Sequence, residues 1–175
     1  GKRFIESERF SRVALGLAGA EASPFRVWLD DWQAVGNSQD TFELKLQAQT
    51  DRVNLALELL PGKPIVLQGD QGLSPKSAAP GNASYYYSMP RMPTIGTISI
   101  DGARYQLAGN SWLDREWGTS ALGPDQAGWD WFALQLDDGT ELMFYQLRDL
   151  DGNPGEMSAG TLIGTDGNAI PLRAD

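Results

Sequence analysis

Four Asp-Gly dipeptides, at positions 101, 138, 151 and 166, each stand between runs rich in aromatic and β-branched residues. Asp-Gly accepts the positive φ angles of a tight turn, and between apolar runs it is the strongest short-range signal for a β-hairpin. Residues 94–100 with 103–108, 129–137 with 140–148, and 160–165 with 168–173 are therefore predicted strand pairs. Alternation extends the pattern upstream. Phe42, Leu44, Leu46 and Ala48 interleave with polar residues, and Val53, Leu55, Leu57 and Leu59 repeat the period beyond a turn at Thr50-Asp51. The Leu-rich 53–60 run has helical propensity, but its period of two is unbroken and Pro61-Gly62 closes it. Short strands at hairpin spacing predict an antiparallel all-β chain, a sandwich or an up-and-down barrel. Val13 to Ala20 is the one candidate for a helix or tight loop, and Gly16 and Gly19 weaken the helical case. The segment 69–83, dense in Gly, Pro and Ser, reads as a linker or a mobile lid.

Composition removes several chemistries. With no Cys and no His, thiolate nucleophiles, Cys or His zinc sites and Ser-His-Asp triads each lack an essential member. Catalysis would fall to carboxylates, Tyr, Arg, Lys or Trp, and no metal or cofactor is expected. The net charge of −9 comes from 23 acidic against 14 basic side chains, and the whole surplus lies in residues 101–175. Such a balance repels phosphate backbones, so nucleic acid is excluded as the main partner. No run reaches the roughly 18 apolar residues of a membrane-spanning helix, and Gly1 to Phe4 has no signal-peptide pattern.

Four of the six Trp residues fall at 112, 117, 129 and 131. On a strand, Trp112, Asp114 and Glu116 share one face, Leu113, Arg115 and Trp117 share the other, and Trp129 shares a face with Trp131. Two carboxylates are thereby coupled to an indole. One reading is a mainly apolar pocket in which Asp114 or Glu116, dehydrated by indole rings, acts as a general acid. The other is that the Trp side chains fill the core and Asp114, Arg115 and Glu116 pair with one another or cap a turn.

The blocks Ser7 to Ala20, Phe25-Arg-Val-Trp-Leu-Asp-Asp-Trp32, Gly109 to Gly118 with its Trp-Leu-Asp-Arg-Glu-Trp-Gly, Gly128-Trp-Asp-Trp131 and Leu142 to Asp149 resemble, in that order, the lipocalin-like family of carotenoid 1,2-hydratases and AttH-type proteins. The resemblance implies two related lipocalin-like β units. Residues 1–90 would hold the later strands of the first and 91–175 the opening strands of the second, with flanking parts of the family fold outside this chain. It further implies an apolar or lipid-like small molecule as ligand, an association with lipid-transporter systems, a periplasmic or secreted location, and a kinship with predicted secreted hydrolases and hydratases. Hydratases of the family tend to carry His near 114–117, where this chain has Asp-Arg-Glu-Trp. The expected site is Asp114 and Glu116 as proton donor and acceptor. Trp112, Trp117, Trp129, Trp131, Tyr145 and Arg148 are the expected ligand-binding residues. A carrier and a hydratase-like enzyme are the two functions in play, the second using Trp faces to stabilise a cation.

Other motifs are weaker. Glu6, Glu8, Arg9 and Arg12 alternate as an edge strand would, or the Arg residues clamp an anion. Of Tyr85-Tyr86-Tyr87, one ring is expected inward and two at the surface. Asp149, Asp151, Asn153 and Glu156 lack the central Gly and twelfth-position Glu of a calcium loop.

Overall fold

The computed structural model describes residues 4–37, 42–118 and 122–173. The chain is antiparallel all-β, as the hairpin series predicts. Its strands are β1 (Ala18–Ala22), β2 (Phe25–Leu29), β3 (Trp32–Gly36), β4 (Leu44–Gln49), β5 (Val53–Leu59), β6 (Val66–Leu67) and β7 (Leu73–Pro75). The long β8 (Ala83–Ile100) and β9 (Ala103–Trp117) follow, then β10 (Gln126–Gln135), β11 (Glu141–Asp149), β12 (Ala159–Ile163) and β13 (Ala169–Arg173).

Turn chemistry explains the pairings. At Asp101-Gly102 both residues have positive φ, 49° and 83°, the signature of a two-residue hairpin turn between β8 and β9. Arg52 holds this turn through Nε and Nη2 on the Asp101 carboxylate, at 2.7 and 2.6 Å. At 138–139 and 166–167 only Gly has positive φ, and its N–H returns to the residue three back, Leu136 and Gly164 respectively. Each Asp also accepts the N–H two residues on, from Thr140 and Asn168, an Asx turn that lets a type I turn close the hairpin. Asp151-Gly152 sits in a turn of the same kind, closed by Gly152 N–H on Asp149 O, but it ends β11 rather than joining two long strands.

Two compact units result, 1–61 with 92–111 and 62–91 with 112–175. The expected boundary stood near residue 90; the units change hands at 61/62, 91/92 and 111/112, because β8 and β9 each run through both.

The first unit is a meander in which β1 to β5 pair in chain order and β5 pairs with the later part of β8, Leu59 opposite Thr94 through Val53 opposite Ile100. Gly96 is required there: a Cβ on it would stand 2.1 Å from Ala56 O. Val13 to Ala20 is a short 3-10 turn, Ala14–Gly16, running into β1. The predicted strand over 6–12 does not form, because Arg9 leaves the sheet to pair with Asp31, donate to Gln49 O and cover the Trp32 ring at 4.6 Å. That guanidinium is occupied within its own unit.

In the second unit β6 and β7 lie along the first part of β8, and β10 to β13 form a four-stranded sheet in chain order. The segment 69–83 is neither linker nor free lid. Leu73 pairs with Tyr85, Asp70 bridges Leu73, Gln68 N–H donates to Tyr86 O and Tyr86 N–H donates to Gly72 O, which together lay it on β8. Tyr86, Met143, Tyr145 and Leu147 form the core, with Trp112, Leu122, Met157 and Ala159 packed against them; full burial of each large side chain contributes roughly 1.5–3 kcal/mol. At one end Glu141 is fully buried between two cations. Lys63 Nζ meets its Oε2 at 2.6 Å and also donates to Gly139 O and Gly164 O, while Arg91 bonds Oε1 and Leu136 O. A buried ion without partners costs several kcal/mol, and here two cations and their carbonyls fix the ends of β10, β11 and β12.

Candidate functional site

β8, β9, β10 and β11 each contribute to one cleft in the second unit, with a volume of about 660 Å³. The period-two rule places its walls. On β11, Tyr145 and Leu147 project to one face, and the register sets Trp131 opposite Tyr145 and Trp129 opposite Leu147. On β9, Glu116 projects into the cleft. Trp129 and Trp131 remain 59% and 44% exposed, so their ring faces are available at its mouth.

The polar groups are paired in a definite order. Glu116 Oε1 accepts from Ser84 Oγ at 2.6 Å and from Lys76 Nζ at 2.6 Å. Lys76 also donates to Ser74 Oγ at 3.1 Å, and its ammonium lies 4.5 Å from the centre of the Tyr145 ring. Tyr145 shares a hydrogen bond of 3.1 Å with the same Ser74. The Lys76 carbonyl is pinned by Gln126 Nε2 at 2.6 Å.

Behind this layer runs a second chain of bonds. Trp131 Nε1 donates to the Tyr86 hydroxyl at 3.0 Å, and Tyr86 bonds Asp114. Asp114 accepts from Ser88 Oγ at 2.5 Å, Ser88 accepts from Gln68 Nε2 at 2.8 Å, and Gln68 Oε1 accepts from Thr161 Oγ1 at 2.6 Å. Burial first, and then the negative charge of Asp114, push the Tyr86 phenol well above its ordinary range. Tyr86 therefore stands as a neutral donor.

The residues predicted from sequence separate into three groups. Glu116, Trp117, Trp129, Trp131 and Tyr145 line the cleft. Asp114 and Trp112 share the face of Glu116, as the spacing predicts, but lie behind the wall, Asp114 on Ser88 and Trp112 against the core cluster. Arg148 faces the other side of β11, where its Nε is 3.2 Å from Asp130 Oδ2; from there it does not line the cleft. Trp117 stacks on Tyr85, ring centres 5.7 Å apart, and meets Tyr87 edge-on at 6.1 Å. Of the three tyrosines, Tyr86 is buried, Tyr85 exposed and Tyr87 half-buried. Asp149, Asp151 and Asn153 form a turn in which the Asp149 carboxylate accepts main-chain N–H groups at 3.0 and 2.7 Å. Among the described residues no group of three or more carboxylate, His or Cys side chains is arranged to hold a metal.

Sequence reasoning missed Lys76, Ser84 and the paired role of Tyr86. Lys76 and Ser84 lie in or beside the breaker-rich segment, where no periodicity marks a face. For Tyr86 the signal was its place as the middle of three tyrosines.

The AttH-like family model matches residues 1–175. The chain is 34% identical to an AttH protein from Nitrosomonas europaea, whose crystal structure superposes with a TM-score of 0.81 over 93% of this chain and 50% of that one. Kievitone hydratase from Nectria haematococca superposes with a TM-score of 0.57 at 20% identity, over 75% of this chain and 40% of that one; this second likeness is one of fold. The chain thus spans half the length of the first relative and less of the second. No curated protein matches it. Among the described residues no helix is long and apolar enough to cross a membrane.

Proposed function

The chain belongs to the AttH-like family, and from that premise we propose that it is a lipocalin-like module that binds an apolar, lipid-like small molecule in the cleft of its second unit. The observation that carries this reading is the pair of half-exposed indoles, Trp129 and Trp131, set beside Tyr145 and Leu147 around about 660 Å³ of open space. A few convergent polar groups in a mainly aromatic cleft are the usual build of a small-molecule site. Covering the exposed parts of Trp117, Trp129 and Trp131 withdraws apolar surface from water at roughly 25 cal/mol per Å², against the cost of ordering a ligand. A periplasmic or secreted setting, beside a lipid-transporter system, belongs to the same proposal and rests on the family.

The hydratase-like alternative needs a strong acid to protonate an unactivated double bond. Asp114 is engaged by Ser88 behind the cleft wall, and Glu116 is ion-paired with Lys76 and accepts from Ser84, so the two carboxylates are built into the wall's own bonding. Tyr86, whose phenol is held above its ordinary range, is a weaker acid still. These observations favour a carrier over an enzyme.

Native mass spectrometry of the full-length protein from its own host tests the choice. A carrier should release an apolar compound unchanged, and Trp131→Ala should weaken its retention about tenfold, roughly 1.4 kcal/mol. Recovery of a hydrated or rearranged product, abolished by Asp114→Asn or Glu116→Gln in folded protein, would establish the enzyme instead.

A further inference from the structure

The ligand's polar end is set by the charges already in the cleft. Resting on the apolar-ligand reading above, we infer that the site selects uncharged amphiphiles, whose head is a hydroxyl or a carbonyl, and rejects those ending in a carboxylate. Among the described lining residues Lys76 and Glu116 are the two that carry charge, and they neutralise each other at 2.6 Å. The ammonium already has Glu116 Oε1, Ser74 Oγ and the faces of the Tyr145 and Tyr86 rings, at 4.5 and 5.7 Å, as partners. An incoming carboxylate would put two negative charges against one positive in a partly dehydrated cleft. The lysine side chain, 16% exposed, has little water with which to screen the extra charge, and the opposed charges interact more strongly than they would in bulk. The acidic surplus of the surrounding sequence, −9 over the chain, adds to the repulsion of an anion.

A neutral head meets no such penalty. Both described donors to Glu116 converge on Oε1, which leaves Oε2 as the oxygen that takes a ligand hydroxyl. A ligand carbonyl can share one ammonium hydrogen with Ser74. The Gln126 bond to the Lys76 carbonyl holds the lysine main chain in place during either event.

The test is competition against the neutral dye Nile red, read by its fluorescence on the full-length protein at mildly alkaline pH, with lauryl alcohol, methyl laurate and laurate as matched competitors. The alcohol and the ester should displace the dye at concentrations lower than laurate by about tenfold or more, a tenfold step being roughly 1.4 kcal/mol. Glu116→Gln frees the ammonium and should bring laurate level with the alcohol or ahead of it. Dye binding with laurate equal to or better than the alcohol in the unmodified protein overturns this inference and leaves the apolar-ligand reading standing. An unchanged ratio in a Glu116→Gln protein that melts as the parent does overturns it also. Failure of the dye and all three competitors to bind removes the apolar-ligand reading and this inference together.

Discussion

Tyr86 is the residue on which the two layers of the cleft meet: its ring is part of the core cluster, its hydroxyl accepts from Trp131 and it bonds Asp114. Burial is the largest reason its phenol is held high, and the Asp114 charge is the next. The folded chain therefore binds that proton more tightly than the unfolded chain, whose phenols titrate near about 10. The stability this group contributes is intact below that value and is lost as pH rises through the raised folded one. In a spectrophotometric titration of the five tyrosines, at least one phenol should ionise only together with loss of the fold. Tyr86→Phe should remove that late component. Its persistence in the variant would mean that another tyrosine is the protected one.

At the scale of elements, hairpins carry the fold and glycines decide how closely they pack. Gly96 on β8 faces Leu57 on β5, and a Cβ there would lie 2.1 Å from the Ala56 carbonyl, at a φ of 154° that side-chain-bearing residues seldom adopt. Gly96→Ala should cost roughly 1–3 kcal/mol from backbone strain alone, and more if the β5 ladder parts. Urea unfolding measures it, and a midpoint equal to the parent's would show that the two strands separate at no cost. Elements of this kind were legible in the sequence because Asp-Gly turns and a period of two are local signals: the β4–β5, β8–β9, β10–β11 and β12–β13 pairs all form where the pattern placed them. The cleft was legible only where it lies on such strands. Spacing put Glu116 with Trp112 on one face and Trp129 with Trp131 on another, and those faces hold. It could not show that Asp114 stands behind Tyr86, nor that Lys76 comes in from an irregular segment to neutralise Glu116, because both depend on contacts between parts of the chain far apart in sequence. Arg148 was misplaced for the opposite reason. It is expected together with Tyr145, but three residues apart on one strand the two side chains fall on opposite faces, and Arg148 pairs with Asp130.

For the whole molecule the surface that most constrains behaviour is the outer side of the β10–β13 sheet. Phe132 and Leu134 stand there opposite Phe144 and Leu142, next to Leu162 and Ile170, and the first two are 51% and 44% exposed. Among the described strands β10 pairs only with β11, so it is an edge of its sheet. An apolar face joined to an open edge favours association. Opposing it is the acidic surplus of residues 101–175, which keeps copies apart by a repulsion that salt screens over about 10 Å at 0.1 M. The two forces respond oppositely to salt: the apolar contact persists while the repulsion fades. Sedimentation velocity on this chain should therefore find larger species as salt and concentration rise. Phe132→Glu combined with Leu134→Glu should hold the chain monomeric under the same conditions, since it breaks the apolar face and adds to the repulsion at one stroke. The fold should be retained, because both side chains already stand about half in water. Association that weakens with salt would point to contacts between opposite charges instead. Association that survives the paired substitution would place the contact on some surface other than β10.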